Sequence, residues 1–141
     1  MIINEIQDEI VDEFARFNNW LDKHNYLIKL GKDLPSMDEQ YKTEKNLIKG
    51  CLVKTWFYSE FRDGKVFYYM DSESILTKGF IALLLRIFSG QKPEDIERAD
   101  LYFIDKIGLK EHFSPFRANS LFKLVNKIKS EANLYKINKS K

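Results

Sequence analysis

The sequence predicts a single domain over residues 1–141 with an α+β fold: a small antiparallel three-stranded sheet packed by helices. Three observations lead there. Apolar residues recur at helical spacing near both ends of the chain, at Ile3, Ile6, Ile10, Phe14 and Phe17, then at Leu121, Leu124, Val125 and Ile128. Between them, two β-branched and aromatic runs are joined by Asp63-Gly64, a pair whose tolerance of left-handed backbone angles closes a tight hairpin. Immediately after, Ile75 to Ser89 is apolar on most sides, as a helix buried against a sheet must be.

The elements follow in order. The opening helical stripe reaches Leu21 and is weakened at Asn18-Asn19. Trp20, Leu27 and Leu30 continue it to Gly31, which reads as a C-terminal stop. Leu34-Pro35-Ser36-Met37 reads as a loop, and Tyr41 to Gly50 as polar, extended chain with Leu47-Ile48 as a short strand. Leu52 to Phe61 and Val66 to Met70 form the hairpin, which puts Cys51 at the sheet end opposite the turn. Asp71-Ser72-Glu73-Ser74 carries helix-start signals, and Gly90 ends the helix they open. Pro93 opens a short helix, Asp100 caps another that stops near Gly108, and Ser114-Pro115 starts the last long one.

With 44% hydrophobic and 31% charged residues, the chain is globular and long enough to bury its own core. The net charge of +2 is unevenly spread: Glu5, Asp8, Glu9, Asp12 and Glu13 lie in the first helix, Lys123, Lys127 and Lys129 in the last. With no recognition motif, these read as solvated helix faces, and no nucleic-acid partner is expected. The longest apolar run, Phe80 to Leu85, is too short to cross a bilayer, so no membrane role is expected. One cysteine and no secretory leader lead to the expectation of a reducing cytoplasm.

That one cysteine, Cys51, excludes an internal disulfide, a four-thiolate zinc site or an iron–sulfur cage. It leaves buried filler, a nucleophile, or an acceptor of a single sulfur atom. Gly50 before it gives the backbone freedom that a thiol at a loop tip requires. Lys49 and Lys54 are near in sequence and read as solvated lysines; His24 reads as surface and His112 as a turn or packing residue. No metal or cofactor is expected, for want of clustered ligands.

Leu30-Gly31, Gly50-Cys51, Trp56, Asp63-Gly64, Asp71-Ser72-Glu73, Thr77-Lys78-Gly79, Gly90 to Ile96, Ile107-Gly108-Leu109, His112 to Pro115 and Arg117 follow one another in a telling order. The ordered set resembles the SufE family of sulfur-acceptor proteins, over nearly the whole chain. The resemblance implies a SufE/IscU-like fold. It implies that a SufS-type cysteine desulfurase, itself a pyridoxal-phosphate enzyme, passes persulfide sulfur to Cys51, and that this stimulates the desulfurase. The sulfur then goes to a SufB-containing scaffold for iron–sulfur cluster assembly. The chain would be a sulfur-transfer partner rather than a stand-alone enzyme, a monomer or weak homodimer without a cofactor of its own. Gly50, Glu73, His112 and Arg117 would support Cys51, with Arg117 falling where the family carries an arginine.

The chain departs from the family pattern in three places. Leu52-Val53 stand where Gln-Ser is usual, Phe116 precedes Arg117 in place of Ser, and Ser120 follows Asn119 in place of Gly. Two other readings remain open. One is an adaptor that activates a desulfurase by binding, with Cys51 dispensable. The other is a thiol hydrolase pairing Cys51 with His112. At rest, Cys51 is expected to be tucked inward, walled by Leu52, Val53 and Trp56, on a loop that swings out.

Overall fold

The computed structural model describes residues 2–51, 53–108 and 115–139, the last segment without the side chains of 115–118 and 139. Helices α1 (Ile3–Ala15) and α2 (Trp20–Asp33) precede the hairpin of β1 (Thr55–Arg62) and β2 (Lys65–Ser72). Then come α3 (Ile75–Phe88), α4 (Pro93–Arg98), α5 (Phe103–Lys106) and α6 (Pro115–Lys139). The opening stripe is two helices, because Asn19 accepts a hydrogen bond from the Asp22 amide at 2.9 Å and so starts α2 afresh.

The hairpin has the expected turn, with Asp63 at φ 53° and Gly64 at φ 78°, and pairs Thr55 with Ser72 through Arg62 with Lys65. Among the described residues, the sheet has two strands, not three. Leu47 makes a single bridge to Trp56, and the Ile48 amide donates to the Thr55 carbonyl at 2.9 Å. Short 3₁₀ turns at Glu39–Tyr41 and Glu44–Asn46 coil the chain just before, leaving too little extended backbone for a third strand. A bridge from Val66 to Gln91 covers the opposite edge.

Phe57, Val66, Tyr68 and Met70 point from one sheet face into the core, where α3 and α6 cover them. The Tyr68 hydroxyl donates to the Ile128 carbonyl of α6 at 2.7 Å. Helix α3 is central as expected, with Ile81, Leu83, Leu84, Ile87 and Phe88 fully buried. Gly31 does not stop α2; that helix runs on to Asp33, and Gly31 and Gly79 are the points where α2 and α3 press together.

Asp100 does not cap α5 with its side chain. Gln7, reaching from α1 and fully buried, accepts from the Phe103 amide at 3.2 Å and donates to the Asp100 carbonyl at 3.0 Å. Gln7→Leu would leave the buried Phe103 amide unpaired and remove one of the two donors to the Asp100 carbonyl, which the Tyr102 amide also reaches at 3.1 Å. It is expected to cost about 1–3 kcal/mol, read as a lower urea midpoint with an unchanged slope.

Candidate functional site

Cys51 sits at the sheet end opposite the Asp63-Gly64 turn, in the loop that carries the chain from the Leu47 bridge to β1. The thiol is half-buried, neither fully tucked in nor fully exposed. The chain reaches this point under tight control. Tyr41 stacks on Tyr58 at 4.5 Å between ring centres, and Tyr58 stacks on Tyr69 at 4.7 Å. The Asn46 side-chain amide donates to the Tyr41 carbonyl at 2.8 Å.

Both sides of the cysteine are held through backbone carbonyls. Before it, Lys123 of α6 donates from Nζ to the Gly50 carbonyl at 2.7 Å. After it, the Lys54 carbonyl accepts from the Glu73 amide at 3.0 Å and from the Ser72 hydroxyl at 3.2 Å. Gly50 stands at φ +84°, the left-handed region, and a Cβ there would collide with Lys123 Nζ. Glycine suits position 50 chiefly for its left-handed conformation, because the Cβ contact is with the far end of a flexible lysine that can move aside.

The other predicted residues fare differently. Glu73 contributes its backbone amide to the loop while its side chain is exposed. Lys49 and Lys54 are exposed, in keeping with solvated lysines. Val53 is 39% exposed and so does not wall the thiol; Leu52 lies outside the described residues. Trp56 is half-buried under the Lys42 ammonium, 5.3 Å from its ring centre. His24 is half-buried beside Trp20 rather than on the surface. His112 lies outside the described residues, and Arg117 falls in the first turn of α6, where only the backbone is described. Among the described residues, no three His, Cys, Asp or Glu groups cluster closely enough to hold a metal ion.

Asp71 is not a helix cap. Ser74 caps α3, and the Asp71 side chain is buried at 2% exposure as a clasp. It accepts from the Met37 amide at 3.0 Å and the Ser72 amide at 2.8 Å, and it pairs with Lys42 at 3.4 Å and Lys78 at 3.6 Å. Burial alone would raise its pKa, but the two amides and two ammonium groups outweigh that and hold the carboxyl below the usual carboxylate range. The clasp joins the loop after α2, the residues before Cys51, and α3.

Because the folded pKa is depressed, ionised Asp71 adds stability above the unfolded value of about 3.9, and that stability is lost as pH falls through the folded value. Asp71→Asn is expected to cost roughly 1–3 kcal/mol at neutral pH. It should also shrink the further loss of stability on acidification, both read by urea unfolding at neutral pH and near pH 3.

The family model for SufE, the Fe-S metabolism associated domain, matches residues 8–132. The chain belongs to the SufE family. A SufE-like protein of Rhizobium meliloti strain 1021 is 38% identical over 130 residues, covering 89% of this chain and 93% of its own. One from Synechocystis is 30% identical over 132 residues, covering 94% and 83%. SufE-like protein 1 of Arabidopsis thaliana, chloroplastic/mitochondrial, is 35% identical over 127 residues, covering 88% of this chain and 34% of the longer plant protein. The solution structure of a hypothetical protein from Thermus thermophilus shares the fold, at TM-score 0.73 and 19% identity, over 91% of this chain and 93% of that one. SufE membership implies a sulfur-acceptor role in iron–sulfur metabolism. No helix among the described residues is long and apolar enough to cross a membrane.

Proposed function

We propose that this SufE-family protein takes persulfide sulfur from a SufS-type cysteine desulfurase onto Cys51. It thereby stimulates the desulfurase and delivers the sulfur to a SufB-containing scaffold in the cytoplasm. The observation that carries this reading is the lone thiol, half-buried on a loop held at the carbonyls on both of its sides. Such a loop can shelter a persulfide and still be released toward a partner.

The chemistry is sulfur exchange without net oxidation. The Cys51 thiolate attacks the outer sulfur of the desulfurase persulfide and forms a new S–S bond. The bond between the two desulfurase sulfurs breaks, and its electron pair leaves on the desulfurase thiolate. Cys51 now carries the sulfane sulfur with its proton. Intact-protein mass spectrometry after incubation with a SufS-type desulfurase and cysteine, without reductant, tests this. The expected result is a gain of one sulfur atom that a reductant reverses. Stimulated desulfurase turnover with no sulfur gain would favour an adaptor that acts by binding alone.

A further inference from the structure

Lys123 belongs to the basic face of the last helix, which the sequence presents as solvated surface. Its ammonium instead reaches the peptide that joins Gly50 to Cys51, donating to the Gly50 carbonyl at 2.7 Å across 73 residues of sequence. Gly50 has the shape that admits it, since any side chain at that position would occupy the place of Nζ. The two carbonyl attachments of the loop also differ in kind. On the far side of Cys51, the Lys54 carbonyl is held by the end of β2 and the residue after it, two donors that belong to the sheet and its continuation. On the near side, beyond the Ile48 amide that donates to the Thr55 carbonyl at 2.9 Å, the holder is one exposed, flexible side chain. A charge-assisted bond in water is strong enough to bias a loop and weak enough to exchange.

We propose that Lys123 is a positioning residue, a latch whose bond to the Gly50 carbonyl keeps the Cys51 loop folded against the body of the protein. The proposal rests on Cys51 being the acceptor. When the ammonium lets go, the loop opens about its anchors at Ile48 and Lys54 and the thiol becomes accessible.

Iodoacetamide alkylation of Cys51 in the free protein reads the open fraction directly. Lys123→Met is expected to raise the alkylation rate about three- to tenfold, the change that loss of one net hydrogen bond gives. Lys123→Arg keeps a cationic donor and should stay within about twofold of the parent rate. Lys123→Gln, a good helix former without the charge, repeats the test should Lys123→Met lower the melting temperature. A rate left unchanged in both uncharged variants overturns the latch. So does a slower rate with the midpoint of the pH–rate profile moved upward, which is the signature of an ammonium that merely favours the thiolate. No desulfurase is present in this measurement, so its outcome is independent of whether a desulfurase loads Cys51.

Discussion

Cys51→Ser is expected to abolish the sulfur gain completely while leaving the protein folded and as stable as its parent. The loss follows from the chemistry: a serine hydroxyl is not ionised near neutral pH and does not take up sulfane sulfur, so no covalent carrier remains. The preserved stability follows from the structure. The loop is fastened by the carbonyls of Gly50 and Lys54 and by the Ile48 amide, all backbone groups that the substitution leaves alone. The side chain itself is only half-buried, and changes at such places stay within about 0.5 kcal/mol. Thermal melts of the two proteins should therefore superimpose. With a SufS-type desulfurase, turnover in the presence of the variant is expected to fall to that of the desulfurase alone. Turnover that stays stimulated would show that binding suffices and that the thiol is dispensable.

The parts of this molecule that are legible in its sequence are those decided by neighbours along the chain. Asp63-Gly64 announces the hairpin because the turn needs left-handed angles at those two residues and nothing more distant. The helix from Ile75 announces itself by being apolar on most sides, and Cys51 by being alone. What was not legible depends on partners far off. Gly31 has the local look of a helix stop, yet its role is to let another helix approach, which only the packed structure discloses. Asn18-Asn19 reads as a blemish in a stripe, although Asn19 is a helix start. Leu47-Ile48 has strand character, but two preceding turns reduce its pairing to a bridge. At the site, Asp71 meets the Met37 amide 34 residues away and Lys123 meets Gly50 across 73. Neither spacing has a sequence signature, and Gln7, which caps α5 from α1, has none either.

Gly79→Ala sets helix propensity against packing, and packing is expected to win. In an isolated helix, alanine for glycine gains about 1 kcal/mol. At position 79, however, the new methyl would collide with the Leu27 carbonyl oxygen and lie 3.0 Å from the Leu27 carbonyl carbon. Those are backbone atoms of α2, with no side-chain rotation to relieve the contact. Gly31 repeats the constraint from the other side, where a Cβ would collide with the Ile75 carbonyl and lie 2.9 Å from the Gly79 amide nitrogen. Overpacking of this kind costs about 3 kcal/mol, so a net loss of about 2 kcal/mol remains, or roughly 4–8 °C in Tm for a chain of this size. The consequence extends to the site. Lys78 beside this glycine pairs with Asp71, and the segment that leads into α3 supplies the Ser72 and Glu73 donors holding Lys54. Forcing α3 away from α2 should therefore loosen the Cys51 loop at its sheet-side attachment. Gly79→Ala is expected to melt earlier by calorimetry and to alkylate faster at Cys51 well below its melting temperature. A variant that melts later would mean that the two helices can part without cost and that the close approach of Gly31 and Gly79 is incidental to the fold.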